Sequence, residues 1–302
     1  RFHTRVEFGE GSIVYKETIA STVEGVGHFE PLRHYAEVHL KLEPGEPDSG
    51  IMIETQASED KLDKNWQRLI MTHIDEREHP GVLTGSSITD IKITLMSGRA
   101  HEKHTEGGDF RQATYRAIRQ GLMQAENILL EPYYSFRLEV PADSVGRAMT
   151  DLDRMGAKFE GPFQKGENSE FTGIAPVAQM SGYMMQVNSY TAGKGRLTCT
   201  LKGYRPCKDQ DAIVAEKMYD PDADINNPTG SVFCAHGSGF YVPWYEVKDY
   251  MHLEAAVDMG EDENDSVISD EEIYKAAKIR SGAFKGSTGG SIEEDKELEA
   301  IF

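Results

Sequence analysis

Long apolar runs are absent from this 302-residue sequence. No stretch approaches the roughly 18 consecutive apolar residues that a bilayer-crossing helix needs, and the opening RFHTRVEFGE has no apolar segment like that of a signal peptide. Export and membrane anchoring therefore have no support. Cysteine is scarce as well. Cys199, Cys207 and Cys234 are odd in number and form no CxxC pair, which argues against a disulfide framework and for a reducing, cytoplasmic setting. Nucleotide-binding signatures are also missing. Gly193-Lys194-Gly195 and Lys285-Gly286-Ser287 lack the GxxxxGK[ST] spacing whose amides cradle phosphates, and there is neither a GxGxxG after a strand nor a GxSxG elbow. The chain as given is expected not to hydrolyse nucleotide.

What is present is ordinary globular composition, 38% hydrophobic and 27% charged, at a length that makes two or more domains. Collagenous, coiled-coil and wholly disordered readings fall away. The formal net charge is −19, unevenly placed: residues 251–302 hold 14 acidic and 5 basic side chains, a net of −9, leaving −10 for the first 250. Such a balance argues against indiscriminate adhesion to nucleic acid, yet leaves room for a local basic tip that docks one RNA site. The sequence starts at Arg1 and enters directly into the strand-like RVEFGEGSIVYKETI, as expected of a piece of a longer protein.

Up to about residue 131, strand and helix signals alternate. Residues 13–19, 36–42, 51–55 and 88–96 have the alternating or β-branched character of strands. Leu62, Trp66, Leu69, Ile70, His73 and Ile74 recur at helical spacing, with Ser58 as the expected N-cap and His79-Pro80-Gly81 as the stop, so this helix should bury its Trp66 face. A second helix is expected to start at Asp109 with an Asp109/Gln112 capping box. Phe110, Ala113, Ala117, Gly121 and Ala125 would form its small-residue seam, and Arg111, Tyr115 and Arg119, with Arg116 nearby, its outward basic face.

Leu130-Glu131-Pro132 marks a boundary. Beyond it come a strand with Tyr134, Phe136, Leu138 and Val140, a helix over 145–155, strands over 157–163 and 169–175, a weaker helix with Met180, Tyr183, Met184 and Val187, and a strand with Leu197, Cys199 and Leu201. This β-α-β-β-α-β order is that of a ferredoxin-like α/β sandwich. The Met180, Met184 and Met185 cluster reads as core filling. After residue 206 a short helix is expected over 209–219, irregular loop over 222–244, and then an acidic tail with a helix at 271–279 and a Gly/Ser run at 286–291.

Few side chains suggest chemistry. His101 and His104 stand three apart rather than the four of a metalloprotease helix, so a metal-dependent hydrolase using them is a minor alternative; Cys207, Cys234 and His236 lack paired ligand spacing. His28, His34 and His39 fit strand edges and loops better than ligand roles. Two loop segments remain. Residues 98–109, GRAHEKHTEGGD, carry Arg99, His101, Lys103 and His104. Residues 25–35, GVGHFEPLRHY, carry a Gly-x-Gly with His28, Phe29, Arg33 and His34. Cationic and aromatic groups on flexible loops suit stacking on unpaired bases and pairing with RNA phosphates. Composition alone favours the plainer account of two solvated hairpin tips, as Glu30, Glu102, Glu106 and Asp109 indicate.

These segments also carry a family resemblance. Val14-Tyr15-Lys16-Glu17-Thr18-Ile19, Gly27-His28-Phe29, the ITDIKITL of residues 88–95, Gly108-Asp109-Phe110-Arg111 and Leu130-Glu131-Pro132-Tyr133 occur in the order of the C-terminal half of elongation factor G-like translational GTPases. Asp109-Phe110-Arg111 and the segment from Glu131-Pro132 to Lys202-Gly203-Tyr204 look most like the tetracycline-resistance ribosomal protection proteins. The resemblance covers about residues 1–206.

It implies an α+β chain in four parts. Residues 1–12 would end domain III and its linker; 13–131 would be domain IV, an α/β domain with a left-handed βαβ crossover, contrary to the usual hand. Residues 132–206 would be the ferredoxin-like domain V, and 207–302 a C-terminal extension with a mobile acidic tail. GTP and magnesium would be bound by the N-terminal part that this fragment does not contain, and the fragment itself would be no enzyme. The expected partner is the ribosome, at small-subunit RNA of the decoding region, with no membrane or DNA and with the protein a monomer. Gly27, His28, Phe29, Arg33, His34, Arg99, His101, Lys103, His104 and Arg111 are the expected ribosome-contacting residues, with His101 matching the family's tip-loop histidine. The implied work is tetracycline release or remodelling of stalled ribosomes; general translocation or recycling is the alternative. The Tyr/Pro/Ser tip of the resistance proteins is absent, and HEKHTEGG stands in its place.

Overall fold

The structure, a computed structural model, describes residues 11–257. They form two compact units, one of residues 11–131 with 204–257 and one of residues 132–203.

The first unit is built on a six-stranded sheet. Its strands are β2 (Val23–Phe29), β3 (Ala36–Pro44), β4 (Ile51–Thr55), β5 (Ile91–Ala100), β10 (Ser231–Ala235) and β11 (Ser238–Val242), in the order β11-β10-β2-β3-β5-β4. β2, β3 and β5 are antiparallel neighbours, whereas β4 runs parallel to β5 and reaches it through α1 (Lys64–Asp75), the βαβ unit expected of the domain. α1 and α2 (Gly107–Gln124) supply the core with Ile70, Ile74, Phe110, Ala113 and Ala117, packed against Val38, Leu40, Leu42, Ile93 and Leu95. β1 (Lys16–Ile19) pairs with the first four residues of β6 (Asn127–Pro141), and α6 (Gln210–Lys217) and α7 (Val247–Tyr250) complete the unit.

The small-residue seam of α2 has a counterpart in β2. A Cβ on Gly25 would stand 2.2 Å from the Ala117 carbonyl oxygen, and one on Gly27 2.0 Å from that of Ala113. Only hydrogen at both positions lets the strand and helix backbones come this close. The Gly-x-Gly expected in a flexible loop is therefore the centre of a buried strand, and the loop itself is confined to residues 30–35.

Other expectations shift by a turn or a face. α1 is capped by Asp63, whose side chain accepts from the Asn65 amide at 2.8 Å, and not by Ser58. Trp66 is only partly buried, against Phe110, while Gln67, Ile70, His73 and Ile74 face inward. α2 starts two residues earlier than Asp109; Asp109 is the inner member of a box with Glu106, accepting the Glu106 amide at 2.8 Å. Nor is the helix's far side a free basic face: Arg116 and Arg119 are buried. The irregular loop expected over 222–244 contains the β10–β11 hairpin, which joins β2 in parallel at Val232 and Phe29.

The second unit has the ferredoxin-like order. β6, α3 (Val145–Arg154), β7 (Lys158–Lys165), β8 (Asn168–Pro176), α4 (Val177–Met180), α5 (Tyr183–Tyr190) and β9 (Arg196–Pro206) follow one another, and the strands lie in the order β9-β6-β8-β7. Phe136, Leu138, Val140, Leu152, Phe171, Tyr183 and Val187 form its core. Of the methionine cluster only Met180 is buried; Met184 and Met185 are exposed. The first ten residues and the expected acidic tail, with its helix at 271–279 and its Gly/Ser run, lie outside the described residues.

Candidate functional site

Pairing of β3 with β5 runs to Ala36 opposite Ala100, so the loops that leave these strands, 30–35 and 101–106, emerge side by side. Specific bonds hold them together. The Thr105 hydroxyl donates to the Tyr35 carbonyl oxygen at 2.7 Å, and His34 Nδ1 lies 2.8 Å from Asp109 Oδ1. Because Asp109 also accepts the Glu106 amide, one buried carboxylate anchors both loops to the start of α2. Tyr35 is buried beneath them, with the Arg99 guanidinium 5.9 Å from its ring centre.

The exposed cations of this surface are Arg33, Arg99 and Lys103, with His101 and His104, whose ring centres are 4.6 Å apart. Arg33 occupies a left-handed backbone conformation, φ 66°, which turns the chain between β2 and β3. Glu102 and Glu106 are exposed among them and Glu30 is largely covered, so the surface has mixed sign. Such a knob can hydrogen-bond and pair with phosphates while presenting imidazoles for stacking.

Other expected contact residues are engaged elsewhere. Gly27 meets α2. Phe29 is partly buried, with the Arg116 guanidinium 5.1 Å from its ring centre. Arg111 is exposed but bound to Glu76, Nε to Oε1 at 2.8 Å. Partial burial would raise Glu76, but hydrogen bonds from Tyr115 and Arg111 outweigh it and bring the carboxyl down to about 2. His101 and His104 find no third ligand among the described residues, where the cluster suited to a metal is His28, Glu37 and His252.

His28 is no part of the exposed knob: it is fully buried in β2, its ring centre 5.2 Å from that of Tyr35. On the sheet face opposite α1 and α2, carboxylates and imidazoles alternate. Glu24 Oε1 is 2.9 Å from His39 Nδ1, His39 Nε2 is 3.1 Å from Glu37 Oε1, Glu37 Oε2 is 2.9 Å from His28 Nδ1, and His28 Nε2 is 3.1 Å from Glu30 Oε2. Residues 252–256 cross this row and bond to it through the main chain, with the Leu253 and Ala256 amides donating at 2.8 Å to Glu37 and Glu24. Burial alone would raise both carboxyls, but the hydrogen bonds they accept hold them below the usual carboxylate range; burial would lower His39, but Glu24 and Glu37 raise it. Sequence reasoning missed this row. Its signal was the alternation in Glu37-Val38-His39-Leu40, whose polar face needed a cover that the sequence did not reveal.

Residues 11–126 match the family model of elongation factor G, domain IV, and residues 128–213 that of the elongation factor G C-terminus. The tetracycline resistance protein TetP of Clostridium perfringens is 30% identical over 220 residues, 72% of this chain and 34% of that protein. A crystal structure of a Thermus thermophilus protein superposes with a TM-score of 0.65 at 27% identity, covering 70% of this chain and 33% of the other. The chain thus spans about a third of the length of these relatives.

Proposed function

This chain belongs to the elongation factor G-like translation factors, as their domain IV and C-terminal domain, and on that premise we propose that it is the ribosome-engaging part of a translational GTPase. The paired loops 30–35 and 101–106 would enter small-subunit RNA at the decoding region and release tetracycline or remodel a stalled ribosome. The observation that carries this reading is the knob itself: Arg33, Lys103, His101 and His104 are exposed on two loops fastened together through Thr105 and Asp109, with Arg99 exposed beside them near the end of β5. A pre-organised knob loses less conformational entropy on insertion than two free hairpin tips would.

The likeness to a tetracycline resistance protein supports the drug-release version. A general translocation role is the second reading, supported by two family models that both describe elongation factor G. GTP and magnesium would be held by a part of the protein outside this sequence, and its hydrolysis would drive insertion and withdrawal. The working protein would be a cytoplasmic monomer with no membrane or DNA partner; no helix among the described residues is long and apolar enough to cross a membrane.

The test is tetracycline susceptibility of cells carrying the complete gene or the same gene lacking codons 101–105. Protection that disappears with the deletion supports drug release. Equal susceptibility with either gene overturns it, and a ribosome-dependent translocation assay then decides for or against the second reading.

A further inference from the structure

Between α2, the segment after α1 and the loop 226–228 lies a cavity of about 170 Å³, the share of liquid taken by roughly five or six waters at about 30 Å³ each. Three arginines line it, Arg77, Arg116 and Arg119, with Tyr115, Gln112 and Asn226. No carboxylate does, although acidic residues outnumber basic ones 51 to 32 in the chain.

The three guanidinium groups are not equivalent. Arg119 is spent on the protein: it donates to the Pro80, Gly81 and Asn227 carbonyl oxygens and to the Tyr219 hydroxyl, which passes the interaction to Asp224 at 2.8 Å. Arg77 donates to the Asn227 side chain at 2.6 Å and to the Glu78 carbonyl oxygen, and lies 4.9 Å from the Tyr115 ring centre. Arg116 is the anomaly. It is only 9% exposed, its hydrogen bonds among the described residues run solely from Nη1 to Gln112, and its Nε is buried with no partner. No ion pair engages any of the three among the described residues, whereas Arg111, Arg147 and Arg205 all have carboxylate partners.

A buried charge without a counter-ion is expensive, and proteins retain one when something supplies the opposite charge. Burial already pulls Arg116 down to about 10, so its charged form is under pressure even though it remains protonated at neutral pH. Guanidinium forks match the oxygens of phosphate in geometry as well as charge. We propose that this cavity binds a phosphate-type oxyanion, inorganic phosphate or the terminal phosphate of a small ester, held by Arg116 and Arg77. The loop 226–228 forms one wall, so that part of the chain beyond the second unit helps to build the site. The ribosome reading is not required for it.

The test titrates inorganic phosphate into the 302-residue chain at constant ionic strength against chloride, read by calorimetry and thermal shift. Saturable binding and a raised Tm are expected with phosphate and not with chloride. R116Q and R77A should each weaken binding at least tenfold, and R68A, on the exposed side of α1, should leave it unchanged. Should R116Q fail to fold, R77A decides alone. Phosphate no better than chloride, or both cavity variants binding as the parent does, overturns the proposal. A 5′-hydroxyl single-stranded RNA hexamer that binds in an Arg77-dependent way while phosphate does not also overturns it and assigns the arginines to a nucleic-acid backbone.

Discussion

His28 Nδ1 lies 2.9 Å from Glu37 Oε2, and neither side chain is exposed to solvent. Glu37 also receives His39 and two amides of the 252–256 segment, so one carboxylate joins β2, β3 and the crossing segment. Leaving a partner of such a buried group uncompensated costs about 3–5 kcal/mol, far more than losing an exposed ion pair.

Glu37→Gln should therefore destabilise the first unit by about 3 kcal/mol or more. The pH dependence has a definite sign. Glu37 and Glu24 are lowered on folding, so their contribution is present above the ordinary carboxylate pKa of 4.5 and is lost as pH falls through their folded values. His39 is raised, so its contribution is full below 6.5 and is lost as pH rises through its folded value. The difference between parent and variant in urea melts should be largest between about pH 4.5 and 6.5, and hydrogen exchange at Leu253 and Ala256 should accelerate in the variant. A difference independent of pH, with unchanged exchange, would contradict the assigned charges.

His79 predicts an acid-side slope of another origin. It is buried, donates from Nε2 to the Ile74 carbonyl oxygen at 2.9 Å, and is pushed down to about 4 chiefly by burial. Because its folded pKa is depressed, stability is full above 6.5 and falls as pH drops toward 4, by about 3 kcal/mol at roughly 1.4 kcal/mol per unit. His79→Gln keeps a donor and removes the proton uptake, so the stability–pH curve should flatten in that interval. A parental slope in H79Q would assign the proton uptake to another group.

Gly27→Ala should cost about 2 kcal/mol or more, because the added methyl group would stand 2.0 Å from the Ala113 carbonyl oxygen and force β2 away from α2. Gly108→Ala is the control. Nothing lies within 4 Å of its Cβ position in the first turn of α2, and the change should be neutral or stabilise by up to about 1 kcal/mol. Urea denaturation of the two variants reads the contrast, and equal effects would refute the packing argument.

On the proposed function, replacing both Arg99 and Lys103 by alanine should weaken ribosome binding by the complete protein and lower the log–log salt slope by about one to two, as expected when phosphate contacts are lost. Filter-binding across a salt series measures this. A slope matching that of the parent would show that neither cation meets phosphate.

Alternation and spacing were enough to read β1, β3, β4 and β5 of the first unit, the α2 seam and the ferredoxin-like order of the second, because apolar periodicity is local. Residue type misled where burial inverts its usual meaning. Gly25 and Gly27 looked like flexible loop glycines but are the packing contact of a strand; Arg116 and Arg119 looked like a solvated stripe but are buried, Arg119 beneath residues about a hundred positions later in the chain. The 222–244 segment hid its hairpin because β10 and β11 are five residues each and gain stability by adding to β2.

The sequence by itself determined the order of elements in the second unit, the α+β class and the family resemblance, since each is written in short-range pattern. Tertiary structure alone decided which of the polar candidate residues are exposed and which are interior. Arg99 and His28 are both expected contact residues on strands of one sheet, yet one is exposed and the other is covered by residues 252–256. That difference depends on a backbone segment more than two hundred residues away donating to Glu37 and Glu24, a pairing that no local periodicity encodes.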